Sequence, residues 1–188
     1  LISFCENYFK QNKIQIIVTP LDRDTWSEYR CKTYTQLSTP FFGEPQENYF
    51  NAFNSLNYKK GYKYFSISSN NELKPEKEIK DINFRLVTNE TLNSDIESIF
   101  ELSTNEFKDN LFYGEISKEV FIEQYTKLFY GLNPVILVAE YNNKIIGFML
   151  GFSGLNAISN EKSFVMKTIA VNSNFRGLGL GTELYQRV

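Results

Sequence analysis

Residues 163–188 read SFVMKTIAVNSNFRGLGLGTELYQRV, and their pattern indicates the architecture of the chain. An apolar, β-branched run of strand length, Phe164 to Val171, precedes a glycine-rich turn at residues 176–182. Residues 183–186, which read ELYQ, are all tolerated in a helix. The stretch therefore predicts a strand, a loop and the start of a helix.

The loop has the composition of an anion-binding turn. Gly177, Gly179 and Gly181 alternate, so the backbone can turn tightly and no side chain screens its amides from a ligand. Amides at a helix N-terminus are unpaired donors with a positive partial charge, which suits a phosphate or pyrophosphate. Arg176 adds a cation at the mouth. The loop therefore predicts a site for a phosphate group.

Two well-known phosphate loops do not fit. The dinucleotide fingerprint needs a third glycine three positions after the second, but Thr182 and Leu184 occupy the two candidate positions. A P-loop needs Gly-Lys-Ser/Thr, whereas residues 181–183 read Gly-Thr-Glu. Neither nucleotide motif is present.

The loop instead resembles a family signature. Residues 176–181, RGLGLG, resemble the Q/R-x-x-G-x-G/A motif of the GNAT superfamily of N-acetyltransferases, and residues 167–171, KTIAV, resemble its fourth strand. The resemblance implies that the loop holds the pyrophosphate of acetyl-CoA and that the strand pairs with its pantetheine arm. The other interpretation is a glycine-rich connection that only packs a helix against a strand. The implied acetyl-CoA-binding residues are Ile169, Ala170, Val171, Arg176, Gly177, Leu178, Gly179, Leu180, Gly181 and Thr182.

Composition limits the classes of protein that the chain can represent. Its 188 residues have room for one ordinary domain and part of a second, with 42% hydrophobic and 22% charged residues. The net charge of −2 predicts no nucleic-acid partner. The two cysteines, Cys5 and Cys31, lack the spacing of a disulfide scaffold or a zinc site, so we expect no metal and reduced thiols in a cytoplasmic protein. No apolar run is long enough to predict a membrane span.

Two residue types constrain the chemistry. The aromatic fraction of 16% could fill a bulky core or line a substrate channel, and we favour the core. The chain has no histidine, which excludes Ser-His-Asp and Cys-His machinery within it. Any acid–base work must therefore fall to Glu, Asp, Tyr, Cys or water.

Residues 1–68 resemble the second half of a GNAT domain. The pattern predicts the tail of a helix at residues 1–10, a strand at 13–20, a helix at 47–56 and a strand at 61–68. Asn57 is predicted as the C-cap of the second helix. Residues 53–62 resemble the closing helix and strand of the family, with Asn57 and Tyr58 in place of its usual glycine and phenylalanine. The connection at 21–45 is either functional or a short helix containing Trp26 and Arg30.

Residues 82–188 resemble the first half of a GNAT domain, after a polar linker at 69–81. Asn93 or Ser94 is predicted to cap the first helix, and Gly131 and Pro134 to end the second. The predicted elements are a strand at 82–87, two helices from about 93 and from 117 to 130, a hairpin of 135–141 and 144–152 turning at 142–143, a loop at 153–162, and the strand and glycine loop already described.

The fold class predicted by this resemblance is α/β (α+β), the GNAT acyl-CoA N-acyltransferase fold, with a mixed central sheet flanked by helices. The halves follow in reversed order, so the chain is either the middle of a tandem protein or a permuted domain. We favour the tandem interpretation, because both ends fall within predicted helices. Residues 110–113, 134–140 and 147–148 also resemble the second copy of bacterial two-module GNAT proteins. A half-sheet exposes an edge, so the strand at 13–20 is expected to pair with residues 164–171, or each with material outside the chain.

The predicted function is acetyl-CoA-dependent N-acetylation of an amine on a small molecule or peptide. The alternative is a non-catalytic acyl-CoA-binding or structural module. The resemblance implies that a strand amide within residues 169–171 polarises the thioester, and that the acid protonating the thiolate lies beyond Val188, so no catalytic residue is assigned. Tyr113 and Glu140 are candidates for contact with substrate, although Glu140 on a hairpin strand could simply be solvated. We expect neither a nucleic-acid nor a membrane partner, and a homodimer is left open.

Overall fold

The computed structural model describes residues 2–19, 26, 47–59, 61–62, 78–155 and 162–187. The chain forms two compact units, Leu1–Lys59 and Lys60–Val188. None of the helices in these ranges is long and apolar enough to cross a membrane. Residues 63–68 of the strand predicted at 61–68, most of the predicted linker and the predicted helix containing Arg30 lie outside the described residues.

The first unit contains the two helices predicted for it, α1 (Ile2–Gln11) and α2 (Glu47–Ser55). The predicted C-cap of α2 is confirmed, because Asn57 has a left-handed φ of 59°. The Tyr58 N–H donates to the Phe53 carbonyl at 3.1 Å, and their rings lie 5.3 Å apart. This is the hydrogen-bond and apolar-contact pattern of a Schellman helix end.

The predicted strand at 13–20 is wrong over the residues that the structure describes. Residues 14–19 form no regular secondary structure, and Ile14 and Ile16 are exposed. An apolar, β-branched run is only a weak prior for a strand, since strand formation depends on a neighbouring strand and a surface to pack on. The predicted partner of this segment, residues 164–171 or material outside the chain, stays a prediction.

The second unit is built on one sheet. Its four strands lie in the order β1-β2-β3-β4 with antiparallel neighbours throughout. The α/β class is confirmed, but the sheet predicted as mixed is antiparallel in all the strands described. The elements are β1 (Asn83–Leu86), α3 (Leu92–Phe107), α4 (Lys118–Leu132), β2 (Val135–Tyr141), β3 (Lys144–Leu155), β4 (Lys162–Val171), a 3₁₀ turn (Ser173–Phe175) and α5 (Leu180–Gln186).

The β2–β3 hairpin matches its prediction. Asn142 and Asn143 have φ values of 50° and 59° and connect Tyr141 to its partner Lys144. Two successive left-handed residues form a type I′ turn, whose twist matches that of the strands, and asparagine tolerates this conformation. β3 continues to Leu155, three residues beyond its predicted end.

The helix boundaries differ slightly from prediction. α4 was predicted to begin at Ser117, but that residue is its N-cap, and the Ser117 side chain accepts a hydrogen bond from the Val120 N–H at 3.4 Å. α3 instead begins at Leu92, because that side chain is buried at 1% exposure and brings its residue into the helix. α4 continues through Gly131 and ends at Leu132, with Asn133 left-handed at φ 45°.

Helices cover both faces of the sheet. α3 packs on β3 and β4 and against α4, whereas α5 packs on β2, β3 and β4. Alternate strand residues point to opposite faces. Leu137, Ala139 and Met149 form one core cluster with Leu180 and Leu184 of α5, so the buried residues that alternate with them face α3.

Candidate functional site

The site begins at the outer edge of β4. The Asn172 N–H donates to the Ile146 carbonyl at 2.8 Å. Because hydrogen-bonded residues alternate in an antiparallel pair, Thr168 and Ala170 direct their backbone groups toward β3. Ile169 and Val171 therefore direct their N–H and C=O groups to the other edge, where no further strand pairs with β4 among those described.

A compact turn follows β4. Asn172 accepts from the Asn174 N–H through its side chain at 3.0 Å and from the Phe175 N–H through its carbonyl at 2.9 Å. The Phe175 ring contacts Tyr141, with centroids 5.3 Å apart. The sequence did not predict this 3₁₀ turn, which joins the β4 edge to the glycines.

The glycine loop ends directly in α5. Gly177 and Gly179 have φ values of 83° and 85°, a region that favours glycine, and Gly179 is the N-cap. The helix begins at Leu180, three residues before the predicted start, because the Leu180 side chain is buried in the core. The first helical amides have no acceptor one turn earlier, so the N–H groups of Leu180, Gly181 and Thr182 are available as donors.

Glu106, in the last turn of α3, fixes the 3₁₀ turn and the neighbouring Arg176. Its carboxylate accepts from the Ser173 N–H at 2.9 Å and from the Arg176 guanidinium at 2.6 Å. The Glu106 side chain is only 9% exposed, whereas that of Arg176 is 62% exposed. Sequence reasoning missed Glu106, although an acidic residue in the last turn of a helix, where the dipole disfavours negative charge, is a signal that could have found it.

The ten residues predicted for acetyl-CoA therefore occupy three consecutive structures. Three lie on β4, where the backbone groups of Ala170 point toward β3 and those of Ile169 and Val171 point toward the open edge, while the side chains of Ile169 and Val171 pack against the core cluster. Arg176, Gly177, Leu178 and Gly179 form the exposed loop. The last three residues open α5, where Leu180 offers only its backbone because its side chain is buried.

Glu140 lies in a different cluster. Arg85 donates to Glu140 at 2.7 Å and in bidentate fashion to Asp95 at 2.7 and 2.8 Å. Burial alone would raise the pKa of Asp95, but hydrogen bonds from Arg85 and Thr91 and the nearby positive charge outweigh it, so the pKa is lowered. The network joins β1, β2 and α3. It gives Glu140 a structural role, and its predicted contact with substrate stays a prediction.

Tyr113 lies in the loop between α3 and α4. Burial and, secondarily, the charge of Glu115 raise the pKa of its hydroxyl above the ordinary tyrosine value, so the phenol is protonated at neutral pH. The preceding Phe112 is left-handed, with φ 57°, and its ring meets Tyr62 edge-on at 6.1 Å. The loop thus carries two aromatic side chains, Phe112 and Tyr113, and Tyr62 packs against the first of them.

The described residues contain no cluster of three or more His, Cys, Asp or Glu that could hold a metal ion. The donors at the site are instead backbone amides and one guanidinium. Such donors suit an anionic ligand.

Residues 96–188 match the family described as Acetyltransferase (GNAT) family. The matched range runs from the second turn of α3 through α5 and so includes the β4 edge, the turn and the glycine loop. The chain therefore contains a domain of the GNAT acetyltransferase family.

The chain is also similar to solved structures of acetyltransferases. An acetyltransferase from Trypanosoma brucei is 18% identical, with 57% of this chain and 71% of that chain covered and a TM-score of 0.44. A GNAT family acetyltransferase from Staphylococcus aureus is 20% identical, covers 56% and 73%, and has a TM-score of 0.45. Glucosamine-6-phosphate N-acetyltransferase from Arabidopsis thaliana is 20% identical, covers 56% and 70%, and has a TM-score of 0.43. No curated protein matches the chain. The family assignment rests on residues 96–188.

Proposed function

We propose that this chain binds acetyl-CoA along β4 and the first turn of α5 and transfers the acetyl group to an amine. The observation that carries the proposal is the continuity of the site. The open edge of β4 at Ile169 and Val171 is followed by the turn that Glu106 fixes and then by the free amides of Leu180, Gly181 and Thr182.

The diphosphate is assigned to the start of α5. Three amide donors lie at the positive end of the helix, and Arg176 adds a cation to the loop that precedes them. A Cβ atom on Gly181 would meet nothing within 4 Å, so the approach to these amides is open. The pantetheine arm is assigned to the edge of β4, where Ile169 and Val171 offer donors and acceptors in strand geometry.

The reaction assigned to the site is direct acyl transfer. The amine nitrogen attacks the thioester carbonyl carbon, a C–N bond forms, the C–S bond breaks and the thiolate leaves. An outward N–H from β4 stabilises the negative charge that develops on the carbonyl oxygen. Holding both reactants in line supplies much of the acceleration. The amine must lose a proton and the thiolate must gain one.

Tyr113 and Glu140 are proposed on the acceptor side. The phenol of Tyr113 donates a hydrogen bond at neutral pH, because the pKa of its hydroxyl is raised. Glu140 would contact the amine through Oε2, since both Arg85 N–H groups donate to Oε1 and Oε2 accepts only a long bond of 3.5 Å from Asn83. The proposed acceptor is an amine on a small molecule or peptide.

Calorimetric titration with acetyl-CoA tests the binding step with a matched pair of variants, Gly181→Asp and Gly181→Asn. The two side chains have the same shape and differ in charge. An aspartate in the first turn stabilises the helix but repels a diphosphate, so we expect the Asp variant to bind at least about tenfold more weakly than the Asn variant, which corresponds to roughly 1.4 kcal/mol. Equal affinities for the two variants would contradict the assignment of the diphosphate to the first turn of α5.

Turnover distinguishes the enzyme from the alternative, a non-catalytic acyl-CoA-binding module. The chain is mixed with acetyl-CoA and a panel of small amines, amino sugars and peptides, and both free CoA thiol and acetylated product are measured. A sample without amine corrects for thioester hydrolysis. Thiol release that depends on an amine supports the transferase, whereas binding without such release supports the module.

A further inference from the structure

The carboxylate of Glu106 lies where electrostatics disfavours it. It occupies the last turn of α3, at the negative end of the helix dipole, and its side chain is nearly buried. The electrostatic cost of this location is offset by two hydrogen bonds that the carboxylate accepts from one short segment, from the Ser173 N–H at 2.9 Å and from Arg176 at 2.6 Å. Both partners belong to the turn between β4 and α5.

The two bonds have different consequences for a ligand. The Ser173 bond fixes the backbone of the turn that leads to the glycines. The Arg176 bond fixes a long side chain that is 62% exposed and would otherwise sample many rotamers. Arginine has five N–H donors in a rigid fork, so the donors that do not bind Glu106 keep a defined direction in solvent.

We infer that Glu106 is the positioning residue of the acetyl-CoA site: it holds the β4–α5 turn and Arg176 in the geometry that receives the diphosphate. The inference rests on the proposed function. Pre-organisation of this kind improves affinity by reducing the ordering that the ligand must impose. Glu106 itself makes no contact with the diphosphate.

The test compares Glu106→Ala, Glu106→Gln and, as a control, Glu101→Ala in the full chain. Ala removes both bonds. Gln keeps an acceptor for the Ser173 N–H and loses the charge that faces Arg176. Glu101 is an exposed residue of the same helix, so its variant reproduces the change in net charge. CoA is the probe, followed through backbone amide shifts in NMR, a method that also shows whether each variant is folded.

We expect CoA to bind Glu106→Ala roughly tenfold or more weakly, as for loss of hydrogen bonds to a charged group, with Glu106→Gln intermediate and the control like the parent. At saturating CoA, the amide shifts of Ile169 and Val171 should match the parent in every variant, whereas those of residues 177–182 should differ in the Glu106 variants. A merely structural role would disturb both segments or neither.

Two results would overturn the inference while leaving the proposed function intact. CoA affinity within twofold of the parent in both Glu106 variants would remove Glu106 from the site. Equal shift changes on β4 and in the loop would make it a general packing residue. If Glu106→Ala does not fold, Glu106→Gln carries the same test. A parent chain that does not bind CoA would instead sink the proposed function, and the inference with it.

Discussion

Gly151 on β3 and the Phe164 ring on β4 share one space: a Cβ atom at Gly151 would lie 2.3 Å from Cζ of Phe164 and 2.8 Å from the Val165 carbonyl oxygen. Gly151→Ala must therefore displace both the ring and a backbone atom. We expect the free energy of unfolding in urea to fall by about 1–3 kcal/mol, the usual cost of overpacking.

The matched control is Gly131→Ala in α4, where a Cβ atom would meet nothing within 4 Å. Alanine is the better helix former there, so that variant should gain about 0.5–1 kcal/mol. Adding Phe164→Leu to Gly151→Ala should recover part of the lost stability. An unchanged unfolding free energy for Gly151→Ala would show that the ring moves aside freely.

Asp95→Asn should destabilise the second unit at neutral pH by about 2–4 kcal/mol, because it leaves Arg85 with one carboxylate in a largely buried network. The pKa of Asp95 is lowered in the folded chain, so its contribution is complete above the ordinary carboxyl pKa. It is lost as the pH falls through the folded value.

The measurement is the urea unfolding free energy of parent and variant between about pH 2 and pH 7. The difference between them should shrink below about pH 4, near the ordinary carboxyl pKa. Glu97→Gln is the control, because Glu97 lies on the same helix and pairs with Lys118 at the surface, where an ion pair contributes at most about 1 kcal/mol. A pH-independent difference for Asp95→Asn would contradict the assignment.

Asn143 offers a test of the hairpin. Its φ of 59° suits glycine better than asparagine and β-branched residues least. Asn143→Gly should raise the thermal midpoint slightly, and Asn143→Val should lower the free energy of unfolding by about 1–2 kcal/mol. Equal stabilities for the Gly and Val variants would mean that the turn rearranges.

Hydrogen exchange tests the open edge of β4. In the free chain the amides of Ile169 and Val171 should exchange faster than those of Thr168 and Ala170, which bond to β3. Acetyl-CoA should slow exchange at Ile169 and Val171 and leave their neighbours nearly unchanged. Strong protection at Ile169 and Val171 without ligand would mean that another segment already covers the edge.

The parts of the fold that the sequence predicted well are those with local causes. β2 has its predicted bounds of 135–141, because an apolar run ends there at two asparagines suited to a left-handed turn. Ser117 caps α4 and Asn57 ends α2 for similarly local reasons. Side-chain hydrogen bonds and left-handed tolerance act within a few residues, so a single sequence is enough to locate them.

The boundaries that differed have tertiary causes. α3 begins at Leu92 and α5 at Leu180 because both leucines are buried against the rest of the unit, and burial overrides the preference for a polar cap. Thr91 occupies the N-cap position of α3, but its side chain makes no capping hydrogen bond to the helix. Its hydroxyl instead accepts from the Thr88 N–H at 3.1 Å and from Arg85 at 3.4 Å.

The candidate site likewise contains a part that the local sequence predicted and a part that depends on tertiary packing. The glycine loop and the strand before it were predicted from one continuous motif, and residues 96–188 match the family that the motif indicated. Glu106 was not predicted, because it reaches Ser173 and Arg176 across 67 and 70 residues. Only the folded packing of α3 against the sheet brings these residues together.

The hydrogen bonds that Glu106 accepts also determine how much of the chain must accompany the loop when it is grafted onto another protein. A graft of residues 172–182 onto another scaffold would carry every glycine and the arginine, yet its turn would lack the acceptor that fixes Ser173 and Arg176. A working transplant must therefore supply a carboxylate from a second segment, at the end of a helix packed beside the strand. For protein engineering, the glycine loop and the end of α3 that carries Glu106 should be transferred together.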